Sequence, residues 1–316
     1  MVLVVIGAVV LAMFGGLLVT LYHGPISLPY LARAIEDRAS TGDARLTVGA
    51  ATIDLSEGLP LRIDLENVAM DIGGGTPVSL SVPRISAPVD LSAALLGKLQ
   101  LAEIVLDQAR LKVSTLSEST SPTEIPDMSV LVEAADRTAG AALHQLAARG
   151  VARIELLAAE IVAEGEETYR IRGIDAVLTR SGQDDLNVSA EVAGRLGQWR
   201  AEVSRVTDPT SRERLMRVDL HDVSPGEFMP LEMAMGAGRG LGVPVRARLD
   251  ATLDERGTFK ETRVGFIVSP GWVNTGRSIV SFDKIDVQAL WEAGSPGFKI
   301  APSSYIRGNT YFPFEG

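Results

Sequence analysis

The 316-residue sequence contains no cysteine, only three histidines and few aromatic residues (5% Phe, Trp and Tyr). The absence of cysteine excludes disulfide bonds and thiolate metal sites. His23, His144 and His221 are far apart in the sequence, and none has a second metal ligand at a suitable spacing. We therefore predict no metal site, and we expect the apolar surfaces to consist mainly of Leu, Val, Ile and Ala.

The sequence also lacks an excess of positive charge, because its formal net charge is −10. A nucleic-acid partner would require a clustered basic surface that neutralises phosphates. We therefore exclude nucleic acid as a partner.

Motifs of catalysis and cofactor binding are missing as well. No Gly-x-Ser-x-Gly motif marks a serine hydrolase. The glycine-rich stretch 235–242 fits neither the dinucleotide fingerprint nor the P-loop. The carboxylates at Glu164 to Glu167 and at Asp184 and Asp185 lie where turns are expected, which explains them without acid–base chemistry. We predict a protein that is not an enzyme and that needs no cofactor.

One long apolar run is present near the start of the chain. Residues 2–22 contain no charged residue, and a run of this length can cross a bilayer as a helix. A cleaved signal peptide is the alternative, but no basic segment precedes the run and no small-x-small cleavage site follows it. We predict a transmembrane anchor over residues 1–23 that contacts the inner membrane through residues 2–22. A juxtamembrane amphipathic helix is expected within residues 24–43, with Leu28, Leu31, Ala32 and Ile35 on one stripe.

From residue 44 onwards the hydrophobic period is two, which is typical of β-strands with one apolar and one polar face. Residues 245–253 alternate strictly, and a phase slip at Glu66–Asn67 predicts a β-bulge. We divide the chain into a first β-segment (44–113), a linker (114–128), an amphipathic helix (129–149) and a continuing β-segment (150–316).

These patterns predict a mainly β protein. The N-terminal transmembrane helix is followed by an elongated, curled antiparallel β-sheet that forms a groove, with a few short amphipathic helices. A β-sandwich, in which a second sheet buries the apolar face, is the ordinary alternative. The residues expected to line the groove are Ile63, Leu65, Leu99, Leu101, Ile154, Leu156, Val188, Ala190, Val245, Ala247, Leu249, Val264, Phe266, Ile285 and Val287.

Four segments carry a resemblance to a known family. They are residues 24–36, where that family has a helix, residues 61–71 and 95–107, which match its opening strands, and residues 242–257, which match its repeated strand-and-turn units. In these four segments the chain resembles the AsmA-like family of bacterial envelope proteins. These are the bridge-like lipid transfer proteins that include AsmA, TamB and YhdP. The resemblance implies one inner-membrane anchor, a periplasmic body and a β-groove that carries phospholipid towards the outer membrane. It also implies that the sequence is the N-terminal portion of a longer protein.

Two functions follow as hypotheses. In the first, acyl chains of phospholipid lie on the apolar face of the sheet while the head groups stay in water. In the second, the chain is a non-enzymatic scaffold for envelope assembly, and an outer-membrane or periplasmic protein covers the apolar face.

Overall fold

The computed structural model describes residues 24–39, 44–54, 61–72, 78–89, 101–114, 128–164, 168–228, 243–274, 278–295 and 297–316. Its helices are α1 (Pro29–Ala39) and α2 (Met128–Ala148), with a 3-10 turn at Pro225–Phe228. Its strands are β1 (Ile26–Ser27), β2 (Ala44–Asp54), β3 (Leu61–Ile72), β4 (Val78–Val89), β5 (Glu103–Asp107), β6 (Arg110–Ser114), β7 (Arg153–Glu164), β8 (Thr168–Ser181), β9 (Asp185–Ala193), β10 (Gln198–Thr207), β11 (Arg214–Val223), β12 (Val245–Leu253), β13 (Phe259–Val268), β14 (Gly271–Asn274), β15 (Ile279–Phe282), β16 (Lys284–Glu292), β17 (Lys299–Arg307) and β18 (Thr310–Phe314).

The protein is mainly β, and a single large curled sheet of 16 strands dominates it. The strands follow one another in sequence order, except that β5 and β6 both lie between β4 and β7, and only the hairpin β14–β15 forms a separate sheet among the described residues. The prediction of a mainly β fold is therefore confirmed. The predicted anchor, residues 1–23, lies outside the described residues, and within these neither helix has the length and apolar character that crossing a membrane requires.

The expectation of a purely antiparallel sheet was wrong at one place. Strands β5 and β6 both pair with β7 in parallel, whereas their neighbours are antiparallel. Two parallel strands need a long crossover connection, because the chain must return to the end of the sheet at which the first strand began. Residues 115–152, which include α2, supply that crossover between β6 and β7.

Alternate residues give the sheet two faces of different chemistry. The apolar face carries residues such as Leu65, Ala190 and Leu249, and the polar face carries their neighbours, such as Asp64 and Asp250. Both helices pack on the apolar face. Helix α1 begins at Pro29, inside the range predicted for the amphipathic helix, and residues 26 and 27 before it form β1.

Helix α1 covers the N-terminal edge of the sheet. Its Ala32 is buried in a cluster with Val48 and Ala51 of β2, and Leu31 packs against the same cluster. The carboxylate of Glu36 accepts a hydrogen bond from the backbone N–H of Val48 at 2.7 Å. Helix α1 thus satisfies a backbone donor that this edge would otherwise present to a further strand.

A line of backbone distortions crosses the N-terminal half of the sheet. Asn67, Gln108 and Ala158 have positive φ angles of 52°, 54° and 50°, and each shifts the phase of the side-chain alternation between its neighbours. Asn67 matches the phase slip expected at Glu66–Asn67, and the register of β7 shifts at Ala158. Each such bulge bends its strand, so a line of them across neighbouring strands bends the sheet along that line. They give a physical cause for the curl.

Candidate functional site

The register of the strands aligns apolar side chains into a continuous row across the sheet, which we call the central row. Each member is the cross-strand partner of the next, so the row runs perpendicular to the strands. The central row consists of Ala51, Leu65, Ile85, Leu106, Leu156, Ala176, Ala190, Ala201, Leu220, Ala247, Phe266 and Val287.

A second row lies beside the central row on the same face, two residues further along the strands. It too contains only apolar side chains. The second row consists of Ile104, Ile154, Leu178, Val188, Val203, Val218, Leu249, Val264, Ala289 and Ile300.

The two rows are long, and most of their side chains are half-buried and therefore partly accessible. Neighbouring strands lie about 4.8 Å apart, so the central row spans about 50 Å along the curved sheet. Only Ala51 and Ala176 among the members of both rows are buried, and Phe266 is 42% exposed. In a β-sandwich the centre of such a face would be buried by a second sheet. Among the described residues the second sheet is only the two-stranded hairpin β14–β15, which is far smaller than the second layer of a sandwich.

The residues predicted to line a groove are placed as follows. Ten of the predicted residues belong to the two rows: Leu65, Leu156, Ala190, Ala247, Phe266 and Val287 to the central row, and Ile154, Val188, Leu249 and Val264 to the second row. Val245 and Ile285 are both partners of Val268, in a shorter row further along the same face. Ile63 pairs with Ile53 and Ala87, Leu101 forms an isolated bridge to Val89, and Leu99 lies outside the described residues.

One group of charged residues on the apolar face was missed. Arg205 continues the series Ala201 and Val203 on β10, yet it is only 4% exposed. Its Nε lies 2.8 Å from Oδ1 of Asp136 on α2, and Nη1 of Arg214 lies 2.6 Å from Oδ2 of the same carboxylate. An arginine in the apolar phase of a strand was the available signal, because such a residue needs a buried partner.

Helix α2 packs over this end of the apolar face. Val132 of α2 belongs to a buried cluster with Ala251, Leu253 and Phe259. The carboxylate of Glu133 accepts a hydrogen bond from the backbone N–H of Phe259 at 3.0 Å. The helix thus covers the apolar face at one margin of β10 to β13 and leaves the rows largely accessible.

The polar face is held by ion pairs between neighbouring strands. Asp250 accepts hydrogen bonds from Nε of Arg217 at 2.5 Å and from Nε of Arg248 at 2.7 Å. Partial burial raises the pKa of Asp250, but the two guanidinium groups lower it more, so the net shift is downward. The pKa of Glu160 is likewise lowered, chiefly by its hydrogen bond from Arg172 and also by that from Arg110. These pairs keep a hydrated charged surface opposite the apolar rows.

The polar face also carries a depression of about 430 Å³ lined by Asp175, Glu191, Arg200, His221 and Arg246, among others. Its charges are mixed, and Arg200 already pairs with Glu191 at 3.2 Å. In the parts of the chain that the structure describes, no group of His, Asp and Glu residues is arranged to hold a metal ion.

No protein-family model, curated protein or solved structure matches the chain.

Proposed function

We propose that the chain is a membrane-anchored periplasmic protein whose apolar face forms the inner wall of a groove for phospholipid. In this proposal residues 2–22 hold it in the inner membrane, and lipid moves along the groove between the inner and outer membranes. The observation that carries the proposal is the pair of apolar rows that remain accessible across the sheet.

The dimensions and energetics of the apolar face suit acyl chains. A bilayer leaflet contributes about 15 Å of hydrocarbon, so a row of about 50 Å accommodates about three acyl chains end to end. Removal of an acyl chain from water is favourable by about 0.8 kcal/mol per CH₂ group. Because the rows are nearly uniform in chemistry, an acyl chain meets no deep local minimum along them. Movement would therefore be passive and would follow a gradient or an external drive.

A charge placed on the rows tests this proposal. We expect Leu249→Asp and Phe266→Asp to abolish transfer of a fluorescent phospholipid from vesicles that contain the full chain to acceptor vesicles. Arg246→Asp is the matched control, because Arg246 is exposed on the polar face of the same strand as Leu249. Purified protein should also carry phospholipid that is detectable by mass spectrometry. Transfer that survives both substitutions, together with protein free of lipid, would contradict the proposal.

A scaffold for envelope assembly is the second candidate function. The observation that favours it is the exposure of a large apolar side chain on the apolar face itself, Phe266 at 42%. An exposed apolar surface is also what a protein partner covers at an interface. In this case a protein partner, rather than lipid, would cover the apolar face.

A further inference from the structure

The carboxylate of Asp136 occupies a site made by two arginines from neighbouring strands. Arg205 of β10 donates to one carboxylate oxygen and Arg214 of β11 donates to the other. The carboxylate is 2% exposed, and both arginines come from the apolar face. Two guanidinium groups that converge in this way bind a phosphate group by the same charge-assisted hydrogen bonds.

The arginine pair adjoins the rows. Arg205 is two residues from Val203 of the second row, and its cross-strand partner is Met216. A cationic pair beside the apolar rows matches the build of an amphiphile, with a charged head and hydrocarbon tails. The two guanidinium groups are also fixed independently of α2, because Arg205 donates to the backbone carbonyl of Asp184 and Arg214 to that of Glu255. The pair therefore keeps its position if α2 moves away.

Helix α2 is held by few buried side chains. Over its 21 residues only Val132, Asp136 and Leu143 are buried, and Val130 and Leu131 remain 59% and 50% exposed. Its other contacts include the ion pairs of Asp136 and the hydrogen bond accepted by Glu133. An incoming anion that replaces the carboxylate of Asp136 keeps both arginines paired, so the cost of leaving a buried charge unpaired is avoided.

We propose that α2 is a displaceable lid and that Arg205 and Arg214 form a binding site for the phosphate of an anionic phospholipid. In the closed state Asp136 occupies that site, and the incoming head group displaces it and releases the helix. This inference rests on the proposed function, and it names the head group that the groove admits at this margin.

The absence of cysteine from the chain permits a direct test. Leu253 is 0% exposed and lies in the cluster to which α2 contributes Val132, so Leu253→Cys reports on opening of the lid. Ala51→Cys is the control, because Ala51 is 1% exposed and lies beneath α1 instead. The rate of maleimide labelling is measured for the full chain with phosphatidylglycerol vesicles, with phosphatidylcholine vesicles and with inorganic phosphate.

We expect phosphatidylglycerol vesicles to raise the labelling rate of Leu253→Cys at least tenfold, and to leave Ala51→Cys unchanged. Combination of Arg214→Gln with Leu253→Cys should abolish this response. Combination of Asp136→Asn with Leu253→Cys should raise the labelling rate without any lipid. An equal response to phosphatidylcholine, or an equal rise at Ala51→Cys, would overturn the proposal. A response to inorganic phosphate alone would also overturn it, since the ligand would then be free phosphate. If labelling fails to respond while Leu249→Asp still blocks transfer, the lid is refuted and the proposed function stands.

Discussion

Substitution of Val188 by aspartate distinguishes an open apolar face from a covered one. Val188 lies in the second row near the middle of the sheet and is half-buried. Full burial of such a side chain is worth about 1.5–3 kcal/mol, so loss of half of it costs about 1 kcal/mol. If the face is open, water reaches the new carboxylate, and we expect a total loss of about 1–2 kcal/mol in the free energy of unfolding.

A covered face predicts a much larger effect. An unpaired carboxylate enclosed by protein would cost about 3–5 kcal/mol beyond the lost packing. The assay is urea denaturation followed by circular dichroism on the full chain. Asn187→Asp is the control, because Asn187 is exposed on the polar face one residue away, and its effect should stay within about 0.5 kcal/mol. A loss above about 4 kcal/mol for Val188→Asp, with a silent control, would refute the open face.

Further predictions concern the ion pairs and the bends of the sheet. Asp136→Ala should lower the free energy of unfolding by about 3–5 kcal/mol because it leaves Arg205 buried without a counter-charge, whereas exposed Val130→Ala should change it by less than about 0.5 kcal/mol in urea titrations. Gly173→Ala should lower the free energy of unfolding by about 2–3 kcal/mol, because the φ of Gly173 is 61° and an added Cβ would lie 2.9 Å from the Cβ of Ala193. Gly182→Ala is the control, with a φ of 74° and open space around it, and should cost about 1 kcal/mol. Equal losses for the two variants would disprove the close contact at Gly173. The lowered pKa of Asp250 contributes stability that is complete above the ordinary value of 3.8 and lost as the pH falls below it. Arg217→Gln should therefore destabilise the protein by less than about 1 kcal/mol at pH 7 and by progressively less as the pH falls below 3.8, and a difference that does not shrink in acid would contradict this.

The sequence alone was sufficient to predict which residues of a strand lie on the apolar face. Strict alternation in a strand such as β12 assigns Val245, Ala247 and Leu249 to one face whatever their neighbours are, because the side-chain period of a strand is two. The two-row arrangement required more. Ala247 and Phe266 are partners only because the turn between β12 and β13 sets their register, and the side-chain pattern alone does not specify that register.

The remaining features depend on contacts between distant parts of the chain. The positive φ of Ala158 is not suggested by its residue type, and Asp175 of the next strand stabilises it by accepting a hydrogen bond from its N–H at 2.8 Å. The parallel pairing of β5 with β7 depends on the path of a crossover that local periodicity does not reveal. Asp136 and Arg205 are 69 residues apart, so their ion pair was visible only in the folded chain.

The central claim is that phospholipid, and not protein, covers the apolar rows. A photocrosslinking amino acid placed at Leu220 of the central row, with Asp219 of the polar face as the control, measures the occupant directly in cells. We predict phospholipid adducts at Leu220, identified by mass spectrometry, and none at Asp219. Adducts to a protein partner at Leu220, without lipid, would contradict the account and support the scaffold function.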